Sequence, residues 1–208
     1  MSSICSAREI KYLFGDIEFV AFSKQKRPIL TVVIDTEEEF DWNFPQSRKE
    51  TSVTAMSDIG LVQDIFDDFN VRPCYMMDYP VATQKQGFLP LKEIFDSGRC
   101  ALGAHLHPWV SPPHVEQVTK VNTFPGNLPA ELERDKLDIL KGIIESNFQC
   151  KVLSYKAGRY GFGVNTAALL ESLGFEIDLS PSPGFNQSDE GGPDFTRFTN
   201  RAFWFGSR

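Results

Sequence analysis

Residues 29–35, Ile-Leu-Thr-Val-Val-Ile-Asp, are a nearly unbroken apolar run rich in β-branched side chains, and the run stops at a cluster of carboxylates. Continuous rather than alternating apolarity predicts a strand covered on both faces, as in a parallel sheet. Parallel strands need long crossover connections, and the rest of the chain supplies them. A helix is predicted over 57–70, with Ser57 and Asp58 at its start and Ile59, Val62, Ile65, Phe66 and Phe69 on one stripe. A strand over 72–77 follows, then a short helix over 89–95 with Pro90 in its first turn and Gly98 past its end. Further strands are predicted over 101–107, 151–157, 175–179 and 201–205. The intervening helices cover 130–148, with Leu132, Leu137, Leu140, Ile143 and Ile144 on its apolar side, and 165–174. Residues 1–28 read as an entry segment with a strand or hairpin near 17–22 and a basic stretch from Lys24 to Arg27. This alternation, with no internal repeat, predicts an α/β domain of βα units on a parallel sheet or barrel.

Charge excludes several functions. The 208 residues carry 21 Lys and Arg against 28 Asp and Glu, for a net charge of −7. Such a chain has no electrostatic footprint for a nucleic acid or an anionic membrane surface. Cys5, Cys74, Cys100 and Cys150 contain no CxxC pair, so they read as reduced thiols acting as small core hydrophobes. Neither a signal peptide nor a window near the roughly 20 apolar residues of a membrane helix is visible. The expectation is a soluble, cytoplasmic protein without membrane insertion, its oligomeric state open.

In folds of this class catalytic groups lie at the carboxyl ends of strands. The first strand runs into Asp35-Thr36-Glu37-Glu38-Glu39, the second ends at Asp78, the third at His105-Leu106-His107, and the fourth at Gly158-Arg159-Tyr160-Gly161. All three histidines fall between residues 105 and 114. Positions i and i+2 of an extended chain share a face, so His105 and His107 can reach one ion; the alternative is one buried, hydrogen-bonded ring and one exposed loop ring. His114 is read as a surface residue. Asp35 and Glu37 share the same i, i+2 relation, which lets one ligate a metal while the other stays free as a base. Glu38 and Glu39 are read as solvated. The long loop over 108–129 follows directly on the histidines and is a candidate functional loop. Trp109, Phe124 and Asn127 in it are candidate substrate contacts, as is Asp78; Trp109 reads equally as a core anchor under the loop.

These motifs resemble those of the polysaccharide deacetylases with NodB homology, carbohydrate esterase family 4, and most closely their WalW-like branch, from about Leu30 to Phe205. Val33-Ile34-Asp35-Thr36-Glu37 is similar to the family's strand-end pair of base and metal carboxylate. Gly103-Ala104-His105-Leu106-His107-Pro108 is similar to its metal-binding histidine motif, although the family's histidines are usually four apart. Ala157-Gly158-Arg159-Tyr160-Gly161 approximates its acetyl-pocket turn, with Ala157 where the family usually has Arg. No histidine follows His114, whereas the family draws its general acid from a late Leu-His pair.

The resemblance implies a distorted, incomplete (β/α) barrel over residues 29–208, lacking its last βα units, behind an extension over 1–28. It implies a metal-dependent amide hydrolase that removes N-acetyl groups from an amino sugar or polysaccharide. Glu37, His105 and His107 would hold a divalent metal, most simply Zn²⁺, with Asp35 as general base and Arg159 and Tyr160 lining the acetyl pocket. The backbone N–H of Tyr160 would face the oxyanion. Asp178 and Asp194 are the internal candidates for the missing acid. A hydrolase of cyclic imides or ureides on the same fold and a non-catalytic carbohydrate-binding remnant are the alternatives. A terminal aromatic group of Phe198, Phe203, Trp204 and Phe205 would then be left uncovered.

Overall fold

The computed structural model describes residues 12–22 and 28–206; Cys5 and the basic stretch from Lys24 to Arg27 lie outside them. The strands are β1 (Ile17–Phe19), β2 (Val33–Thr36), β3 (Cys74–Met77), β4 (Ala101–Leu106), β5 (Ser154–Ala157), β6 (Ile177–Asp178) and β7 (Phe203–Phe205). The helices are α1 (Ile59–Asp68), α2 (Tyr79–Thr83), α3 (Lys85–Asp96), α4 (Ala130–Phe148) and α5 (Thr166–Ser172). Strands β2 to β6 form one parallel sheet in sequence order, with Val33 opposite Cys74, Cys74 opposite Ala101, Gly103 opposite Ser154 and Ser154 opposite Ile177. The fold is α/β.

The central strands β3, β4 and β5 are buried as a parallel sheet demands, through Tyr75, Met76, Leu102, Ala104, Leu106 and Tyr155. Strand β2 departs from the expectation. It is an edge strand, and Ile29, Leu30 and Val33 are exposed rather than covered on both faces. The α1 stripe is likewise largely open, with Val62, Ile65 and Phe69 exposed. Apolar run length alone could not distinguish an edge from a centre, because that depends on how many strands follow and where they pair.

Helix α3 starts a turn earlier than expected, at Lys85, which makes Pro90 an interior residue; Gly98 does end it, at φ +76°. Helix α4 buries Leu132, Leu137, Leu140, Ile144 and Phe148. The same face buries Lys136, whose ammonium donates to the carbonyls of Pro108 (3.0 Å), Ser111 (2.5 Å) and Pro113 (2.8 Å) and pairs with Glu116 at 3.1 Å. A buried ammonium must be fully partnered to be tolerated, so α4 fixes the first part of the 108–129 loop.

Strands β1 and β7 form a separate antiparallel ribbon, Ile17 facing Phe205. Its core is Phe14, stacked on Phe162 at 4.4 Å and edge-on to Phe203 and Phe205 at 5.2 and 5.0 Å. Of the terminal aromatics only Trp204 is exposed; Phe198, Phe203 and Phe205 are half-buried against this cluster. Cys74, Cys100 and Cys150 are free, and burial pushes the Cys100 thiol up to about 12. Among the described residues no helix is long and apolar enough to cross a membrane.

Candidate metal centre

Period-2 alternation sorts the acidic run at the end of β2 into two sets. Asp35 and Glu37 project to one side, while Thr36 and Glu38 point inward and are buried. On β4 and just beyond it, His105 and His107 share a side, their ring centroids 4.6 Å apart. The two sets meet. Glu37 Oε2 lies 3.2 Å from His105 Nε2 and 3.4 Å from His107 Nε2. One ligand atom from each of the three residues falls within 4.8 Å of the others.

The far nitrogens of both rings are already engaged. His105 Nδ1 is 3.0 Å from the carbonyl oxygen of Lys156, its opposite number across the β4–β5 ladder. A carbonyl only accepts, so Nδ1 carries the proton. His107 Nδ1 is 2.8 Å from Glu38 Oε2, in a fully buried contact. Burial lowers the His107 pKa, favouring the neutral ring. A neutral ring with its proton on Nδ1 turns a bare Nε2 lone pair toward the Glu37 carboxylate. His105 Nε2 faces the same carboxylate oxygen, and a cation among these three atoms would be held by all of them, so the donor set fits a divalent ion. Two imidazoles and a carboxylate is also the composition of a catalytic zinc site.

A second group, Glu38, Asp78 and His107, also brings three ligand atoms close together. Its atoms are occupied differently. Glu38 Oε1 accepts from the Trp109 indole at 2.7 Å, and Asp78 Oδ2 accepts from the Glu38 backbone N–H at 2.8 Å. Asp78 Oδ1 accepts from the Val81 N–H at 2.9 Å, capping α2. Asp78 is fully buried under the site and contacts no open space, which corrects its reading as a substrate contact. Burial pushes Glu38 up to about 7 and Asp78 well above the usual carboxylate range.

Lys156, which sequence reading passed over, is ion-paired with Asp35 and lies 4.7 Å over the Tyr160 ring. Asp35 sits on β2 and Lys156 on β5, three strand spacings apart, about 14 Å in a flat sheet. The contact therefore requires the sheet to curl around this side. A lone Lys opposite His105 in a buried strand was the available signal. Gly158 also belongs to the site's architecture: a Cβ there would come within 2.4 Å of Leu106 O and 2.5 Å of His107 Cδ2.

The Arg159–Tyr160 turn follows β5 with two consecutive left-handed non-glycine residues, φ +54° and +56°. Each such residue costs on the order of 1–3 kcal/mol and persists only where surrounding contacts impose it. The turn sends Arg159 away from the histidines, where its guanidinium pairs with Glu190, donates to Thr123 Oγ1 at 2.5 Å and stacks 4.1 Å over Phe124. Arg159 thus fastens two loops instead of lining a pocket.

Three loop residues read as substrate contacts are engaged elsewhere. Trp109 is 1% exposed and stacked on His107 at 4.2 Å and 24°, so its face is not open to a sugar. Phe124 is equally buried. Asn127 Nδ2 donates to the carbonyls of Val121 and Gly191. Burial of Trp109 follows from the Lys136-anchored start of the loop folding back onto the site, and Phe124 lies under the Arg159 guanidinium; spacing could reveal neither. Glu38 likewise is buried to 2% and not solvated, whereas Glu39 caps the turn at residues 52–55 from an exposed position and His114 is exposed. Of the candidate acids, Asp178 is held by Ser180 Oγ at 2.5 Å and pushed up to about 7 by burial, and Asp194 is bound to Thr196.

No protein-family model and no curated protein matches the chain. The structure is similar to solved CE4 proteins. The CE4 family pseudoenzyme BA3943 of Bacillus anthracis aligns with a TM-score of 0.47 at 15% identity, over 73% of this chain and 44% of that one. The deacetylase domain of BpsB from Bordetella bronchiseptica aligns with 0.46 at 14%, over 73% and 64%. The peptidoglycan deacetylase PdaC from Bacillus subtilis aligns with 0.43 at 12%, over 72% and 58%. The chain therefore spans less than two thirds of the length of these proteins.

Proposed function

We propose that the chain is the metal-binding part of an amide hydrolase that removes N-acetyl groups from an amino sugar or polysaccharide, with residues 29–208 as its catalytic domain. The observation that carries this reading is the meeting of Glu37 Oε2 with the Nε2 atoms of His105 and His107, beside an Asp35 held by Lys156. Glu37, His105 and His107 would hold the ion, zinc by the character of the donor set, and when bound it would supply Lewis acidity and lower the pKa of a water toward about 7. Asp35 takes the proton of that attacking water as general base. Lys156 pairs with Asp35 Oδ2, which leaves Oδ1 as the oxygen to take that proton. When the C–N bond breaks, Asp35 passes its proton to the leaving nitrogen, and acetate and a free amine depart. The Tyr160 backbone N–H is the donor assigned to the developing oxyanion. Paired carboxylates also serve glycosidases, but there two imidazoles on one face would be idle.

The test is acetate and free-amine release from N-acetylglucosamine oligomers by zinc-loaded protein, run beside a cyclic imide. Release from the sugars that Asp35→Asn abolishes supports the reading. Turnover of the imide alone would reassign the substrate class. Stoichiometric zinc with turnover of neither would leave a binding remnant in place of an enzyme.

A further inference from the structure

Below the centre lies a hydrogen-bonded group that the reaction itself does not use. Glu38 is the most deeply placed carboxylate of the acidic run, and each of its oxygens meets one N–H donor, Trp109 Nε1–H at Oε1, 2.7 Å, and His107 Nδ1 at Oε2, 2.8 Å, while its side chain also meets the buried Asp78 carboxyl. Its main chain is fixed in turn, since the Glu38 N–H donates to Asp78 Oδ2 at 2.8 Å and Asp78 caps α2. His107 is also clamped from its ring faces, by the stacked Trp109 indole and by the edge of Phe40 at 6.0 Å. All of these except Phe40 are buried.

We propose that Glu38 is a positioning residue that holds His107 with its proton on Nδ1 and a bare Nε2 turned toward Glu37 and His105, and that Trp109 fixes which Glu38 oxygen does so. The inference rests on the reading of Glu37, His105 and His107 as ligands. The stereochemistry is restrictive. Two donors, an indole N–H and an imidazole N–H, converge on one carboxylate, and only a group with two acceptor oxygens satisfies both. A glutamine of the same shape offers one oxygen and one NH₂, so one donor must face another donor. His107 then either loses its partner or turns its ring, and both disturb the Nε2 direction. Carboxylates behind ligating imidazoles typically tune metal affinity by 10- to 100-fold.

The same stereochemistry supplies the test. In W109F the indole donor is gone but an aromatic ring still stacks on His107. Glutamine at position 38 can then point its oxygen at His107 Nδ1 and its NH₂ into the place the indole N–H left. Glu38→Gln is therefore expected to weaken zinc binding about 10- to 100-fold in a chelator competition, and W109F/E38Q to recover most of that loss relative to E38Q. The second readout needs neither metal nor substrate: ¹⁵N-edited imidazole spectra of the metal-free protein should show His107 with its proton on Nδ1 in the wild type, and a changed tautomer or ring exchange in E38Q. A wild-type His107 protonated on Nε2 overturns the proposal without any substitution, which covers the case of a variant that fails to fold. Zinc affinity within twofold of wild type in a folded E38Q, or a double variant weaker than E38Q, also overturns it. A wild-type chain that binds no zinc while His107 keeps Nδ1–H would instead sink the underlying metal reading.

Discussion

Lys156 on β5 is ion-paired with Asp35 on β2 across the two strands between them. The pair ties the proposed base to the strand that also holds His105 in place through its backbone carbonyl. One residue of β5 therefore orients both a proposed ligand and the proposed base.

Asp35→Asn is expected to keep stoichiometric metal and to lose roughly 10²- to 10⁴-fold in kcat, the usual cost of removing a general base. Lys156→Met should lower kcat by less, with metal content unchanged, and Lys156→Arg should restore part of it. Metal analysis beside steady-state kinetics separates these outcomes. An Asp35→Asn variant turning over at near wild-type rate would remove Asp35 from the mechanism.

His105→Ala removes one of the three proposed ligands without touching the cores around α4 and Phe14. We expect stoichiometric divalent metal, read by plasma emission after zinc loading and desalting, to fall to background while the far-ultraviolet circular dichroism stays close to wild type. Retained metal would mean that the ion sits elsewhere.

Trp109 is fully buried, stacked on His107 and bonded to Glu38. Trp109→Ala should therefore destabilise the fold by about 3–5 kcal/mol in chemical denaturation. A substrate-stacking Trp would change affinity and leave stability nearly untouched, and that result would restore its earlier assignment.

Glu133 on α4 accepts from Thr166 Oγ1 at 2.6 Å, and burial pushes its carboxyl up to about 7. Its Oε2 is buried without a hydrogen-bond partner among the described residues. A carboxyl with a folded pKa above its unfolded value, about 4.3, binds its proton more tightly when folded. Its contribution is thus fully present at low pH, declines as pH rises from roughly 4.5, and levels off above about 7. At about 1.4 kcal/mol per pH unit the loss is on the order of 4 kcal/mol. Glu133→Gln keeps an acceptor for Thr166, so its stability should fall less between pH 5 and 8 than that of the wild type. Parallel pH profiles of the two proteins would disprove this assignment.

The sequence by itself determined the α/β class and the rim on which the chemistry gathers. Alternating strand and helix signals encode a parallel sheet, and period 2 puts His105 with His107 and Asp35 with Glu37 on shared faces. These are local rules, so a sequence carries them openly. The tertiary structure alone decided which groups the site keeps. Glu38, four residues from the exposed Trp42 and inside an acidic run, reads as solvated until the 108–129 loop, drawn in by Lys136, covers it with Trp109. Lys156 becomes part of the site only because the sheet curls enough for β5 to reach β2. Arg159 leaves it because a left-handed turn aims its guanidinium at Glu190. Each of these outcomes depends on residues tens of positions apart meeting in space, and spacing along the chain contains no measure of that distance.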